Sequence, residues 1–353
     1  MKIVVAMSGG VDSSVAAALL AEQGHEVIGL SMQLYDQTEG QTSFGSCCSL
    51  DDLYDARRVA QAIGIPHYIL NFEREFNEQV VSNFVQEYAA GRTPIPCARC
   101  NSDLKFATLA ERAAGFGADV VATGHYARTA IDPDSGQVLL KRGVDPAKDQ
   151  AYFLFSLTQD QLARACFPVG DVSKDVVRDY ARRYNLAVAD KPDSQEICFV
   201  PDDDYAGFVA KRAPGVAARG AIVDEAGRAV GTHEGIHRFT VGQRKGLGIP
   251  ASPDGSPRYV LALRPVDNQV VVGPKAALER RTLLASGVNW ILGAPDGPRR
   301  VTAQIRHRHT PAPGTVRALG TGGAELVFDD PQVAVTPGQA VVFYDDDVVL
   351  GGG

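Results

Sequence analysis

Residues 3–7 form an apolar run of strand length that passes directly into Ser8-Gly9-Gly10-Val11-Asp12-Ser13-Ser14. Val15, Ala18, Leu19 and Glu22 then recur at helical spacing, and Gly24 supplies a C-terminal stop. A strand, a glycine-bearing turn and a helix in that order leave few folds open. The glycines permit a tight path whose N–H groups point at one spot. Ser13 and Ser14 add hydroxyl donors, and the helix start favours negative charge. The segment fits neither the Walker A pattern nor the dinucleotide fingerprint. Its plain alternative is a capped helix after a tight turn.

The alternation continues. Residues 27–30 read as a second strand, and Leu53, Ala56, Ala60 and Ile63 mark a helix ended by Gly64. Residues 65–70 form a third strand, Phe76, Val80, Phe84 and Tyr88 share one helical face, and residues 119–123 form a further strand. This predicts an α/β fold built on a doubly wound parallel sheet, with ligand at the carboxyl ends of its strands. After about residue 200 short β-rich runs (220–223, 259–263, 269–272, 301–305, 340–344) are separated by Gly, Pro and Asp clusters. A length of 353 residues suits two or three domains. The division expected is 1–200, a small β-rich domain at 201–276 and a second mainly-β domain at 277–353. Alternation along 301–308 places Val301, Ala303 and Ile305 on one face and Thr302, Gln304, Arg306 and Arg308 on the other.

A hydrophobic fraction of 45% and a charged fraction of 22% are those of a soluble globular protein. The start reads as a strand and not as a signal peptide, and no stretch approaches the roughly 20 apolar residues of a membrane span. A cytoplasmic location with no membrane partner follows. In that reducing compartment six cysteines point to metal, catalytic or redox use rather than a structural disulfide framework. The net charge of −7 is uneven: residues 1–100 carry six basic and twelve acidic side chains, residues 275–310 seven basic and two acidic. A polyanion can dock on such a local field, although charge alone favours a solvated surface.

Pro94-Ile95-Pro96-Cys97-Ala98-Arg99-Cys100-Asn101 carries Cys100 at the end of a proline-stiffened loop, with a helix expected from Asn101. A thiol at a helix N-terminus gains from the dipole, and Arg99 would help it ionise. A second cysteine in polar surroundings, Cys198, follows Asp193-Ser194-Gln195-Glu196-Ile197. Two such distant thiols converge only through the fold, as a persulfide carrier and its partner require.

The loop at 8–14 resembles that of the ATP pyrophosphatases, the PP-loop enzymes of adenine nucleotide alpha-hydrolase-like fold. They split ATP between its α and β phosphates and transfer AMP. On that resemblance Ala6, Met7, Ser8, Gly9, Gly10, Val11, Asp12 and Ser13 cradle ATP, Met32 lies beside the adenine, and Gly124 closes on it. Almost from end to end the sequence resembles the bacterial tRNA-specific 2-thiouridylases. The stretches that carry this are SGGVDSS, CCSLDDLYDARRVA, GRTPIPCARCNSDLKF, TGHYAR, LLKRGVDPAKDQAYFL, DSQEICF and FTVGQRKGLGI.

The resemblance implies a sulfurtransferase that adenylates O2 of the wobble uridine and replaces that oxygen with sulfur. Its last domain is expected to be a β-barrel that contacts tRNA. Cys100 matches the nucleophile and Cys198 the persulfide carrier. Ile95, Pro96 and Cys97 match the surroundings of the flipped base, and Lys148, Asp149 and Gln150, with Arg306 and His307, match tRNA contacts. ATP and Mg²⁺ are the implied cofactors, with Asp12 a nearby carboxylate. The implied partners are tRNA and a sulfur donor or relay protein, a cysteine desulfurase or sulfur carrier. Sulfur arrives by direct attack of the persulfide or as sulfide released by Cys100, and the second route leaves a Cys100–Cys198 disulfide. Departures from the family are Ile95, where Asn is usual, Cys97, where some relatives carry Asp, and a last strand shortened at Gly351-Gly352-Gly353.

Rival readings keep parts of this. Cys97, Cys100 and Cys198 would also serve as three ligands of a [4Fe-4S] cluster. A small-molecule ATP-dependent ligase would need the loop but not both cysteines, and an RNA-binding module would need neither. Cys47, Cys48 and Cys166 are read as packing groups, His233 and His237 as ordinary domain residues, and His125 as either a phosphate contact or a structural hydrogen-bonding group. Residues 242–246 form a tight basic turn or a nucleic-acid contact.

Overall fold

The computed structural model describes residues 1–35, 49–193, 197–200, 203–320 and 322–353. Cys47 and Cys48 lie outside the described residues, as do Ser194, Gln195 and Glu196.

Apolar runs and helical spacing resolve at the N-terminus into β1 (Lys2–Ala6), α1 (Val11–Glu22), β2 (Glu26–Gln33), α2 (Leu50–Ile63) and β3 (His67–Asn71). Gly24 and Gly64, both with positive φ, follow the two helices. Ser49 and Asp52 form a reciprocal capping box that starts α2. A helical run follows in three pieces, Glu73–Phe76, a π-helical turn Asn77–Val81, and Ser82–Ala89. Phe76, Val80, Phe84 and Tyr88 are all buried on it, as their shared face requires. β4 (Val120–Ala122) then enters the sheet.

The parallel sheet runs β3-β2-β1-β4, with Ala165–Cys166 at its far edge. Chain order reverses between β1 and β4, so the crevice at their carboxyl ends is the switch point where such sheets take ligands. β1 is central and its residues 3–5 are nearly sealed from solvent, as a strand covered on both faces must be. One core packs Val4, Leu30 and Met32 on the 73–89 helices, and the other packs Val5, Val15 and Ala56 on the opposite face.

Two further sheets follow. Tyr259–Arg264, Gln269–Gly273, Gly220–Asp224 and Ala229–His233 form the first, in that spatial order, around Ile222, Val260 and Val272. The second is nine-stranded and holds the C-terminal strands from Glu279 onward. It also takes in the hairpin Ala127–Ile131 and Val138–Arg142, because Val348–Gly352 pairs with Val138–Arg142. Val348–Gly352 also pairs with Val342–Asp345 and Asn289–Trp290, so this strand is engaged with several partners.

The strand expected at 301–305 is Arg299–Gln304, and its alternation fails at Gln304. That side chain is buried, donates to the carbonyls of Arg306 and His307 at 3.2 and 2.7 Å, and accepts from the Tyr344 hydroxyl at 3.2 Å. A polar residue is tolerated inside because its hydrogen bonds are satisfied. Arg306 and Arg308 consequently lie in the turn beyond the strand, still exposed.

Candidate active site

β1 ends in the centre of the sheet, and the chain must turn at once to start α1. Gly9 makes the turn with φ +76°, and a Cβ there would stand 2.2 Å from the Asp52 carbonyl oxygen. Both the left-handed backbone and the approach of α2 therefore require glycine. Gly10 caps α1 in an extended conformation, with no side-chain cap among the described residues. The first N–H groups of α1 thus lack a capping side chain, and the helix dipole adds positive potential there. Ser13 Oγ accepts from Ser8 N–H at 3.1 Å and Ser14 Oγ donates to the Gly10 carbonyl at 2.8 Å, holding the loop's shape. Gly124 closes the cradle from β4: a Cβ on it would lie 2.5 Å from Ser13 N and 2.6 Å from Asp12 C. Ala6, Met7 and Val11 are buried at the base of the loop, and Met32 is buried near the carboxyl end of β2.

Beneath the loop runs a polar network that sequence reasoning missed. Asp12 accepts from the Tyr126 hydroxyl at 2.7 Å and from Lys174 Nζ at 2.7 and 2.8 Å. Lys174, only 7% exposed, also meets Asp193 Oδ1 at 2.8 Å. Burial pushes the Asp193 carboxyl up, but Lys148 and Lys174 outweigh it and hold the group below its usual value. On the other side Lys191 donates to the Gly9 carbonyl at 3.1 Å and to Asp52 and Asp55 at 2.6 Å each. Burial pulls the Lys191 ammonium down, and the two carboxylates more than restore it. Tyr126 and Asp193 stand inside motif stretches and were open to notice. Nothing in the sequence marks Lys174, which follows an ordinary helix cap at Ser173.

His125 does not replace any of these. Its Nδ1 pairs with Thr123 Oγ1 at 2.6 Å and its ring lies between Phe106 and Phe167. Burial, with Lys105 nearby, holds it well below the usual histidine value, so it is neutral at pH 7.

The helix carrying the first cysteine pair starts earlier than Asn101. Pro96–Arg99 is already helical, with Ile95 at the N-cap and Pro96 at the first position, where its missing N–H costs nothing. Cys97 therefore occupies the first turn and is exposed, whereas Cys100 begins the π-helical segment Cys100–Thr108, one turn in. The expected benefit of the helix start belongs to Cys97 rather than Cys100. Cys100, Ile95 and Cys198 all pack against the same core cluster. Phe199 fixes the second cysteine's backbone, with ring centroids 5.4 Å from Phe76, 5.0 Å from Phe84 and 5.4 Å from Phe208. Among the described residues no three His, Cys, Asp or Glu side chains are grouped to hold a metal ion, so Cys97, Cys100 and Cys198 do not form a ligand set in this arrangement.

The RNA-contact candidates come together from opposite ends of the chain. The His307 ring lies 4.7 Å from that of Phe153, just beyond Lys148-Asp149-Gln150. Asp149 accepts from Arg142 at 3.0 Å and Gln150 from Tyr126 N–H at 3.0 Å, so both side chains shape the segment from within. Lys148 reaches Asp193, and Arg306 donates to the Val333 carbonyl at 3.3 Å. His233, at the end of a strand of the small central sheet, and His237, in the short helical turn after it, are buried on backbone carbonyls. Cys166 is half-buried at the sheet edge, where burial pushes its thiol up. Gly242 and Gly246, both at positive φ, make 242–246 a tight turn closed on Gln243.

A phosphate-cradling loop at the switch point of a parallel sheet, followed by two β-rich units, defines a nucleotide-binding α/β enzyme with appended domains. Family models match in that order: a tRNA methyl transferase HUP domain over residues 1–202, a tRNA methyl transferase PRC-barrel domain over 207–274, and an aminomethyltransferase beta-barrel domain over 280–353. The tRNA-specific 2-thiouridylase MnmA of Geotalea uraniireducens is 54% identical over 100% of this chain and 94% of that protein. Its counterparts in Geobacter metallireducens and Solibacter usitatus are each 53% identical, over 100% and 99% of this chain and 96% and 98% of theirs. The chain belongs to the tRNA-specific 2-thiouridylase family. The domain descriptions speak of methyl transfer, but a nucleotide loop with two thiols on one core suits the thiolation named in the full-length relatives.

Proposed function

We propose that this chain converts the wobble uridine of tRNA to 2-thiouridine, at the expense of ATP and of a persulfide on Cys198. The observation that carries the reading is the phosphate cradle at the β1–β4 crevice, supported by Cys100 and Cys198 both packing against the same extended core. The C2 carbonyl of uracil is a poor electrophile because expelling oxide is unfavourable. Attack of O2 on the α phosphorus releases pyrophosphate and leaves AMP on that oxygen, which makes it a good leaving group. The loop N–H groups stabilise the charge that develops. The base must leave its stack to reach this site, and Ile95, Pro96 and Cys97 are proposed to receive it. Mg²⁺ would neutralise pyrophosphate charge, and Asp12 is the loop carboxylate proposed to hold it once Lys174 releases its oxygens.

The terminal persulfide sulfur is transferred to C2 and AMP departs with the oxygen. As that sulfur is reduced to the thiocarbonyl level, the thiols of Cys100 and Cys198 are oxidised to a disulfide, which an external thiol must reduce. A cysteine desulfurase or sulfur carrier is the proposed donor. The proposed compartment is the cytoplasm, where tRNA and reducing thiols are at hand. No helix among the described residues is long and apolar enough to cross a membrane. The three-part division of the chain near residues 200 and 276 is likewise proposed, with the basic 275–310 stretch meeting RNA.

Incubation of the protein with unmodified tRNA, ATP, Mg²⁺, a thiol reductant, and cysteine with a cysteine desulfurase as persulfide donor, followed by mass spectrometry of the nucleosides, tests this. 2-Thiouridine should form with wild type, and Cys198→Ala loaded from a desulfurase should form none while still binding ATP. ATP cleavage indifferent to tRNA would refute the proposal.

A further inference from the structure

Asp193 stands five residues before Cys198 and faces three cations from two other parts of the chain. Lys148 Nζ lies 2.7 Å from Oδ2, Lys174 Nζ 2.8 Å from Oδ1, and Arg178 Nη2 3.4 Å from Oδ1. Lys174 simultaneously grips both oxygens of Asp12, in the first turn of α1. A continuous polar path therefore runs from the phosphate loop through Asp12, Lys174 and Asp193 to Lys148. A second path, Asp12 to Tyr126 to Gln150, ends in the same 148–150 segment.

One buried ammonium shared by two carboxylates settles according to what else each carboxylate faces. Asp193 is supplied by Lys148 and Arg178 as well, whereas among the described residues Asp12 has only the Tyr126 hydroxyl besides Lys174. If Lys148 turns toward an RNA phosphate, Asp193 loses a counter-charge and draws Lys174 harder. The hold of Lys174 on Asp12 loosens, and the Asp12 oxygens become available to a magnesium-loaded nucleotide. Resting on the tRNA-thiolating reading for the identity of the RNA, we infer that Lys174 is a positioning residue that makes RNA engagement at Lys148 and nucleotide engagement at Asp12 mutually reinforcing. Such coupling is reciprocal: each ligand tightens the other by the same factor.

The experiment is a titration of the full-length protein with a non-hydrolysable ATP analogue and Mg²⁺, with and without saturating unmodified tRNA. Wild type should bind the analogue at least about fivefold more tightly when tRNA is present, the lower end of ordinary allosteric coupling. Lys174→Met should bring that ratio to one, and Lys174→Arg should restore part of it. Lys148→Met without tRNA should already bind the analogue more tightly than wild type, a gain that a merely structural role would not produce. A wild-type ratio of one, an unchanged ratio in Lys174→Met, or weaker binding by Lys148→Met would overturn the inference. Should Lys174→Met fail to fold, Asp193→Asn removes the receiving carboxylate and must abolish the ratio instead. Wild type that makes 2-thiouridine without coupling defeats this inference alone, whereas wild type that makes none defeats the functional reading.

Discussion

The nucleotide loop and the thiol region of this protein are built on opposite plans. The loop occupies one short stretch, and its shape is fixed by exclusion: Gly9 and Gly124 stand where any side chain would strike the backbone of a neighbouring element. The thiols come from distant stretches and owe their place to attraction, with Cys100 on a helix started by Pro96 and Cys198 beside a phenylalanine seated among three others. The loop is therefore intolerant of added atoms and the thiol region of removed ones. Each should fail in its own way, without taking the other's function with it.

Gly9→Ala is the harshest test of that contrast. A left-handed backbone at a non-glycine residue costs about 1–3 kcal/mol by itself, and the new Cβ must also push back the Asp52 carbonyl and with it the start of α2. Misplacing a positioned group by about 1 Å costs on the order of 10²-fold in rate, so tRNA-dependent pyrophosphate release should fall by about that factor. Persulfide loading of Cys198, followed by mass shift, should stay within twofold of wild type. Pyrophosphate release at the wild-type rate would show that the loop's shape is not what the reaction needs.

Phe199→Ala probes the other plan. Truncating a packed phenylalanine costs about 3–5 kcal/mol when the site is fully buried. Phe199 is half-buried, so the lower end, about 3 kcal/mol, is expected. The cavity frees the backbone at Cys198, and thiouridine formation should drop about tenfold while nucleotide affinity stays unchanged. A matching loss of ATP binding would mean that the two regions are one cooperative unit.

How much of this could be read in advance follows the same division. Local order was legible: periodicity gave β1, α1 and α2, and the glycines at 24 and 64 ended the helices where the structure ends them. The cradle was legible too, because a strand, a glycine turn and a helix are contiguous. What the sequence hid depends on contacts between remote elements. Lys174 looks like any surface lysine at a helix start until Asp12 and Asp193 close over it. The pairing of the hairpin at 127–142 with Val348–Gly352 joins stretches some two hundred residues apart, which no local pattern announces. Gln304 obeys strand alternation on paper, yet the turn after it turns its amide inward to bond two carbonyls. The helix start was misplaced by five residues because Pro96 reads as stiffening a loop, when its fixed φ also suits the first turn of a helix.

The smallest effect belongs to a surface that neither plan governs. Arg306 is exposed in the turn after Arg299–Gln304, and the hydrogen bond from its guanidinium to the Val333 carbonyl is long at 3.3 Å. Replacing an exposed side chain of this kind changes stability by about 0.5 kcal/mol or less. If its guanidinium instead contacts a phosphate, Arg306→Ala should weaken tRNA binding a few-fold and lower the slope of log affinity against log salt by about one. Nucleotide affinity and Cys198 loading should be untouched, because the substitution removes an exposed side chain and leaves the Arg306 carbonyl, which Gln304 binds, in place. The discriminating measurement is the salt titration rather than a single affinity, since a local distortion would weaken binding equally at every ionic strength. A parallel downward shift with the slope intact would assign Arg306 to holding the Val333 strand, and would leave Lys148 as the basic contact to examine next.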